Sequence, residues 1–109
     1  MPQTRIDLGS SQVIAASGVL FNHVDEGFPM WSGDGDRSVR AEIRFVRSFK
    51  VIPVVHANVI GIDSAQDRNL RYWLNTVDVK PYGFTLEFNT WADTNIARVG
   101  VSWLAAGRY

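Results

Sequence analysis

Side-chain alternation with a period of two residues constrains this chain more than any other feature. Ser38 to Val46 places Val39, Ala41, Ile43 and Phe45 on one face and Arg40, Glu42 and Arg44 on the other. Successive side chains of a strand point to opposite faces, so this is a strand with one buried and one wet side. Phe84, Leu86 and Phe88 alternate with Thr85, Glu87 and Asn89, and Val99, Val101 and Trp103 alternate with Arg98, Gly100 and Ser102. Val55, Ala57 and Val59 interleave with Val54, His56, Asn58 and Ile60, and Leu70, Tyr72 and Leu74 with Arg71, Trp73 and Asn75. A weaker strand spans Val13 to Asn22, with Val19 and Phe21 as its core candidates.

Turn chemistry separates these segments. Lys80-Pro81-Tyr82-Gly83 predicts a short hairpin loop. Ser32-Gly33-Asp34-Gly35-Asp36 forms a second turn cluster, preceded by Gly27-Phe28-Pro29-Met30-Trp31. Gly61 to Asn69 is a polar loop with room for one helical turn, and Ala92 to Asn95 a tight polar corner. No segment carries a sustained 3.6-residue stripe. The fold class expected is therefore all-β, a six-stranded antiparallel β-sandwich. One domain covers 1–109, with 1–16 as an N-terminal extension or lead-in to the first strand.

Composition narrows the function classes. Eleven Lys and Arg balance eleven Asp and Glu, which argues against a nucleic-acid module or a polybasic membrane-surface domain. With no cysteine there is no disulfide framework, thiolate metal site or cysteine nucleophile. No apolar run is long enough to span a bilayer or serve as a signal peptide, so membrane insertion and a Sec-type export route are not expected. The thirteen aromatic residues, four of them Trp, exceed what so small a core consumes, and rings left at a surface signify binding.

Catalytic and metal constellations are poor. His23 and His56 are the two histidines, and their spacing does not make a ligand pair. Asp34 and Asp36 resemble a calcium loop only until Ser38 and Val39, and no bidentate Glu follows. Asp34, Asp36, Glu87 and Asp93 could supply the two carboxylates of a glycosidase, but a small sandwich offers little wall for a deep groove. No enzyme activity, cofactor or metal is expected. Two residues stand out instead. Trp91 falls, by twos, on the polar face of Thr85, Glu87 and Asn89, and Arg71 opens a strand directly after a polar loop.

Trp31-Ser32-Gly33-Asp34-Gly35-Asp36-Arg37 is followed in order by Asp63, Asn69-Leu70-Arg71, Tyr82-Gly83-Phe84, Thr90-Trp91-Ala92-Asp93-Thr94 and Val101-Ser102-Trp103-Leu104-Ala105. In that order and spacing the chain resembles the H-type lectin domain of snail agglutinins and discoidins, over roughly Ser17 to Arg108. The run from Arg71 to Trp103 carries most of the likeness. The resemblance implies a trimer, or two stacked trimers, that binds galactose-type sugars, especially N-acetylgalactosamine, without calcium at clefts between subunits. The family's aspartate falls on Asp34, or on Asp36 if the loop differs by two residues. Its arginine falls on Arg71 and its tryptophan on Trp91. Ser32, Gly33 and Ala92 complete the candidate sugar-contacting set, and Trp73, Asn75 and Ala97 are the interface candidates, with Trp73 equally open to simple packing.

Three departures bear on that reading. Ala92 stands where the snail lectin has a histidine against the acetamido group, and Ala97 where it has a cleft tyrosine. The cross-linking cysteines are missing, so assembly rests on packing alone. The expected partners are therefore glycans with terminal galactose-type sugars and further copies of the chain, with action outside a cell or on a particle surface. The alternative is a structural or receptor-binding tip protein, of phage or secretion-apparatus type, that uses the same trimeric sandwich without sugar affinity.

Overall fold

The computed structural model describes residues 1–23 and 29–109. Its strands are β1 (Gln3–Asp7), β2 (Ser11–Asn22), β3 (Arg37–Arg44), β4 (Val54–Ser64), β5 (Tyr72–Lys80), β6 (Gly83–Thr90) and β7 (Ile96–Arg108), with one helical turn, α1 (Pro29–Ser32). They form a four-stranded sheet in the order β1-β2-β7-β4 and a three-stranded sheet in the order β3-β6-β5, with every pairing antiparallel.

Among the described residues the strand count is thus seven, not six. The added strand is β1, placed within residues expected as an extension. Its sequence hid it because its half-buried positions are Gln3 and Arg5, which bond rather than pack. Gln3 Nε2 donates to the Arg44 carbonyl at 2.8 Å, and Arg5 Nε donates to Gln12 Oε1 at 2.5 Å. Gln12 is fully buried and donates onward to the carbonyls of Arg47 and Ser48.

The alternating segments build the core as expected. Phe84, Leu86 and Phe88 of β6 face Val99, Val101 and Trp103 of β7, all at most 3% exposed. Each such side chain contributes about 1.5–3 kcal/mol by leaving water. Edge-to-face rings knit one end, with Phe84 and Trp103 centroids 5.2 Å apart and Phe45 and Phe49 5.0 Å apart. On β2, Phe21 is buried, but Val19 is 57% exposed. A register shift between the two residues breaks the simple alternation.

Two loop readings also change. Residues 61–64, expected as loop, continue β4 beyond a bulge between Val59 and Gly61 and pair with β7 as far as Ile96. A bulge inserts a residue, inverts the face pattern and so masks the strand. The turn cluster before Ser32 contains α1, while its members Gly27 and Phe28 lie outside the described residues. The Lys80–Gly83 hairpin forms as read, with Lys80 paired to Gly83 across a two-residue turn.

β6 runs from the Gly83 hairpin at one end of the sandwich to Trp91 at the other. The molecule is elongated, with extents of 50 × 20 × 20 Å. The outer face of the three-stranded sheet carries Ser38, Arg40 and Glu42 of β3, Thr85, Glu87 and Asn89 of β6, and Trp73 and Asn75 of β5. This is the face on which Trp91 opens.

Candidate functional site

The end of the sandwich near Trp91 is assembled from three loops, and Arg37 binds two of them together. Its Nε donates to the Gly35 carbonyl at 3.0 Å. Nη1 reaches the carbonyls of Pro29 and Gly33 at 3.1 Å each, and Nη2 that of Ala92 at 3.2 Å. A planar guanidinium is suited to such a fork of acceptors. The Gly35 N–H donates to the Ala92 carbonyl at 2.9 Å, and Asn95 Nδ2 to the Gly33 carbonyl at 2.9 Å. The Ser32–Asp36 loop is therefore fastened to the corner that follows Trp91. Gly33 has no room for a side chain, since a Cβ there would lie 2.6 Å from the Pro29 carbonyl oxygen. Ala92 adopts φ +58°, a left-handed conformation uncommon outside glycine and asparagine, and this turns its carbonyl toward the loop.

Arg71 is set by a different device. Its backbone N–H donates to Thr94 Oγ1 at 2.9 Å, and its carbonyl accepts from Thr90 Oγ1 at 2.6 Å. Thr94 Oγ1 in turn donates to the Asn69 carbonyl at 2.5 Å. Thr90 and Thr94 are at most 1% exposed, so the hydroxyls replace ladder bonds that this irregular backbone lacks. The Arg71 side chain is half-exposed, and Nη1 donates to Asp93 Oδ1 at 2.5 Å. Its remaining guanidinium N–H groups have no protein partner among the described residues.

Asp93 also accepts from the Asn69 side-chain amide and, more weakly, from its backbone N–H. Partial desolvation pulls the Asp93 carboxyl upward, but the backbone N–H groups of Asn69 and Asp93 and the Arg71 guanidinium together hold it below the usual range.

Trp91 is 39% exposed and lines a concavity of about 420 Å³ with Asp36, Ser38 and Asn89. Of the two aspartates read from the loop, both exposed, Asp36 lines the Trp91 concavity and Asp34 does not. Asp36 precedes β3, whose register brings Arg37 opposite Thr90 and so Asp36 toward Trp91. The arrangement is an apolar ring plane flanked by a carboxylate, with the charge-paired Arg71 outside the lining of the concavity, just before β5 on the backbone segment bonded to Thr90. Such a group can pack against a sugar's apolar patch and bond adjacent hydroxyls.

Ser32 is exposed, and both hydrogen bonds at the Gly33 carbonyl are taken within the protein. Gly33 acts as scaffold. Trp73, 64% exposed, and Asn75 lie on the same outer face as Trp91. Ala97 is 3% exposed within a single chain. Its methyl group is packed inside that chain. Asp93 and Arg37 were not singled out for the site by sequence, since one is defined by its side-chain partner and the other by four carbonyls scattered along the chain.

The carboxylates considered for hydrolysis are differently occupied. Glu87 is bonded to Arg40 at 2.8 Å and to Asn89 at 3.1 Å, and Asp93 to Arg71. His56 is exposed on the outer face of the four-stranded sheet. Among the described residues, no group of three or more His, Asp or Glu side chains gathers as a metal site. No helix among them is long and apolar enough to cross a membrane.

Comparison with known proteins gives concordant results. The H-type lectin domain family matches residues 40–106. A Fuscovulum blasticum protein named ATP synthase subunits region ORF 7 is 37% identical over 101 residues, covering 92% of this chain and 88% of its own. Among solved structures, discoidin II from Dictyostelium discoideum superposes with a TM-score of 0.78 at 19% identity over 93% of this chain, which spans 38% of discoidin II. The R1 pyocin tail fibre of P. aeruginosa superposes less closely, with a TM-score of 0.53 at 13% identity over 98% of this chain and 86% of the fibre fragment.

Proposed function

From the premise that this chain belongs to the H-type lectin domain family, we propose that it is a carbohydrate-binding lectin for galactose-type sugars. It acts without calcium and at clefts between the subunits of a trimer or dimer of trimers. The observation that carries the reading is the exposed Trp91 ring beside Asp36, with the Arg71–Asp93 pair on the backbone segment bonded to Thr90. In this reading the Trp91 ring packs on the apolar face of the sugar. Asp36 accepts from hydroxyls, and the N–H groups of Arg71 that Asp93 leaves unoccupied donate to them. Asp93 acts through Arg71, holding the guanidinium at a fixed angle. Ala92 brings no donor to an acetamido group, so galactose itself is favoured over N-acetylgalactosamine.

Residues 1–109 serve as one sandwich unit, and Trp73 with Asn75 supports contact with a neighbouring copy. A single shallow site gives about millimolar affinity, near −4 kcal/mol. Displaying three or six sites raises avidity by roughly 10²–10⁴ without new contacts, which gives assembly a function.

A glycan array probed with the wild type and Arg71→Ala tests the reading. Binding to galactose-terminated glycans is expected, with loss in the variant of one or two charge-assisted hydrogen bonds, each about 1.5–3 kcal/mol. The likeness to the pyocin fibre favours a second reading, a structural tip protein of the same fold. A stable trimer that binds no glycan would establish that alternative and overturn the lectin.

A further inference from the structure

The outer face that carries Trp91 has a second concavity, of about 490 Å³, at its opposite end. That volume lies within the range of small-molecule sites. Thr85 and Trp91 are six residues apart along β6, so the two concavities are separated by roughly 20 Å. The floor of the second is the central strand. Gly83 is bare because a Cβ there would come within 2.3 Å of the Ile43 carbonyl oxygen, and Thr85 lies beside it. Glu42 and Arg44 of β3 form one wall, and Asp78 and Lys80 of β5 the other.

A bulge between Val77 and Lys80 builds the second wall. Strict alternation after Val77, which pairs with Thr85, would turn Asp78 inward. Instead Asp78 takes φ +53° and stands outside, where its carboxylate meets Arg40 at 3.3 Å. Left-handed non-glycine residues cost energy and concentrate at functional positions. Val79 then packs against the core, and Lys80 returns to the outer face. Tyr82, 47% exposed, closes the hairpin end, with the Arg44 guanidinium 5.3 Å from its ring centroid.

The balance of charge at this end is positive. Arg40 is shared between Glu87 at 2.8 Å and Asp78 at 3.3 Å, so Arg40, Arg44 and Lys80 are balanced by Glu42, Asp78 and Glu87, and the excess comes from the rim. There Arg47 and Lys50 of the adjoining loop and Arg108 at the end of β7 stand against Asp7 at the end of β1. The zero net charge of the chain therefore conceals a cationic pole.

We propose that this concavity is a second saccharide site, selective for anionic glycans that carry sulfate or carboxylate groups. Arg44 and Lys80 hold the anionic group, Tyr82 supplies the ring platform, and Glu42 and Thr85 meet hydroxyls. The choice of a saccharide as ligand rests on the lectin reading, whereas the charge selectivity rests on this pole alone. Because opposite charges steer the encounter, binding weakens as salt rises, unlike binding of a neutral sugar.

Calorimetric titration with galactose and with a heparin-derived tetrasaccharide tests the proposal, using the wild type, Arg71→Ala, Lys80→Gln and Tyr82→Ala. The tetrasaccharide is expected to bind the wild type and Arg71→Ala equally. Lys80→Gln should weaken it by roughly tenfold or more, the worth of one charge-assisted bond, with galactose binding unchanged. Unaltered tetrasaccharide binding in both Lys80→Gln and Tyr82→Ala would overturn the site, as would a polyaspartate peptide that binds equally well. Absence of galactose binding, with tetrasaccharide binding that is lost in Lys80→Gln, overturns the reading at Trp91 and supports this site. The converse pattern overturns this site alone.

Discussion

Replacing Thr94 by valine removes one oxygen and keeps the shape of the side chain, which makes it a sharp probe of how Arg71 is held. The hydroxyl accepts from the Arg71 N–H at 2.9 Å and donates to the Asn69 carbonyl at 2.5 Å, from a position with no solvent exposure. Two intramolecular hydrogen bonds are worth about 1–3 kcal/mol net, and a backbone group left without a partner costs about 1–3 kcal/mol more. The added methyl returns about 0.8 kcal/mol. Asn69 is exposed and Arg71 half-exposed, so water recovers part of the loss. The expected destabilisation is about 2–3 kcal/mol, or roughly 10–20 °C in Tm for a domain of this size. Thr94→Ser keeps both bonds and loses one methyl, at about 1 kcal/mol. Urea unfolding at one fixed protein concentration separates the two through their midpoints, provided the slope is unchanged. Galactose affinity should fall in Thr94→Val and persist in Thr94→Ser under conditions where both are folded. A valine variant as stable as the serine variant would refute the argument that buried hydroxyls set this corner.

Other consequences can be measured separately. Arg37→Met should remove one donor from each of four carbonyls, of which those of Pro29, Gly33 and Ala92 keep another, loosen the Ser32–Asp36 loop and raise its amide exchange, while Leu86 and Val101 in the core stay protected. Trp91→Ala should reduce galactose affinity by about 1–2 kcal/mol, roughly five- to thirtyfold, with Tm nearly unchanged because the ring is 39% exposed. The Asp93 carboxyl is held below its ordinary value, so its contribution is present above about pH 4 and is lost as pH falls through the lowered value. Galactose affinity should accordingly hold between pH 7 and 5 and fall in stronger acid, and Asp93→Asn should remove the part of that dependence that runs through Arg71, as titrations across the range will show.

Much of the sandwich was legible because its core obeys alternation. Phe84, Leu86, Phe88, Val99, Val101 and Trp103 were read inward, and all are buried. What escaped was structure held by polar bonds or displaced by bulges. β1 has Gln3 and Arg5 at its half-buried positions, and no hydrophobic period betrays a strand that is fixed by amide and guanidinium donors. The bulge at Ile60 inverts the face pattern, so the rest of β4 reads as loop. At the candidate site, Trp91 was legible as a ring on the wrong face. The choice between Asp34 and Asp36 was not, because it depends on how α1 and Arg37 fold the loop back, and both act through backbone carbonyls that no side-chain pattern records. The burial of both Ile96 and Ala97 at the start of β7 was not legible either, because alternation does not yet hold there.

A nitrogen–proton correlation titration of the labelled protein with galactose, to roughly tenfold above a millimolar Kd, tests the central claim most directly. Saturable shifts of the Trp91 indole N–H and of the Asp36 and Arg71 amides are expected, absent in Arg71→Ala. Spectra unchanged by galactose, or shifts confined to residues remote from Trp91, would contradict that claim.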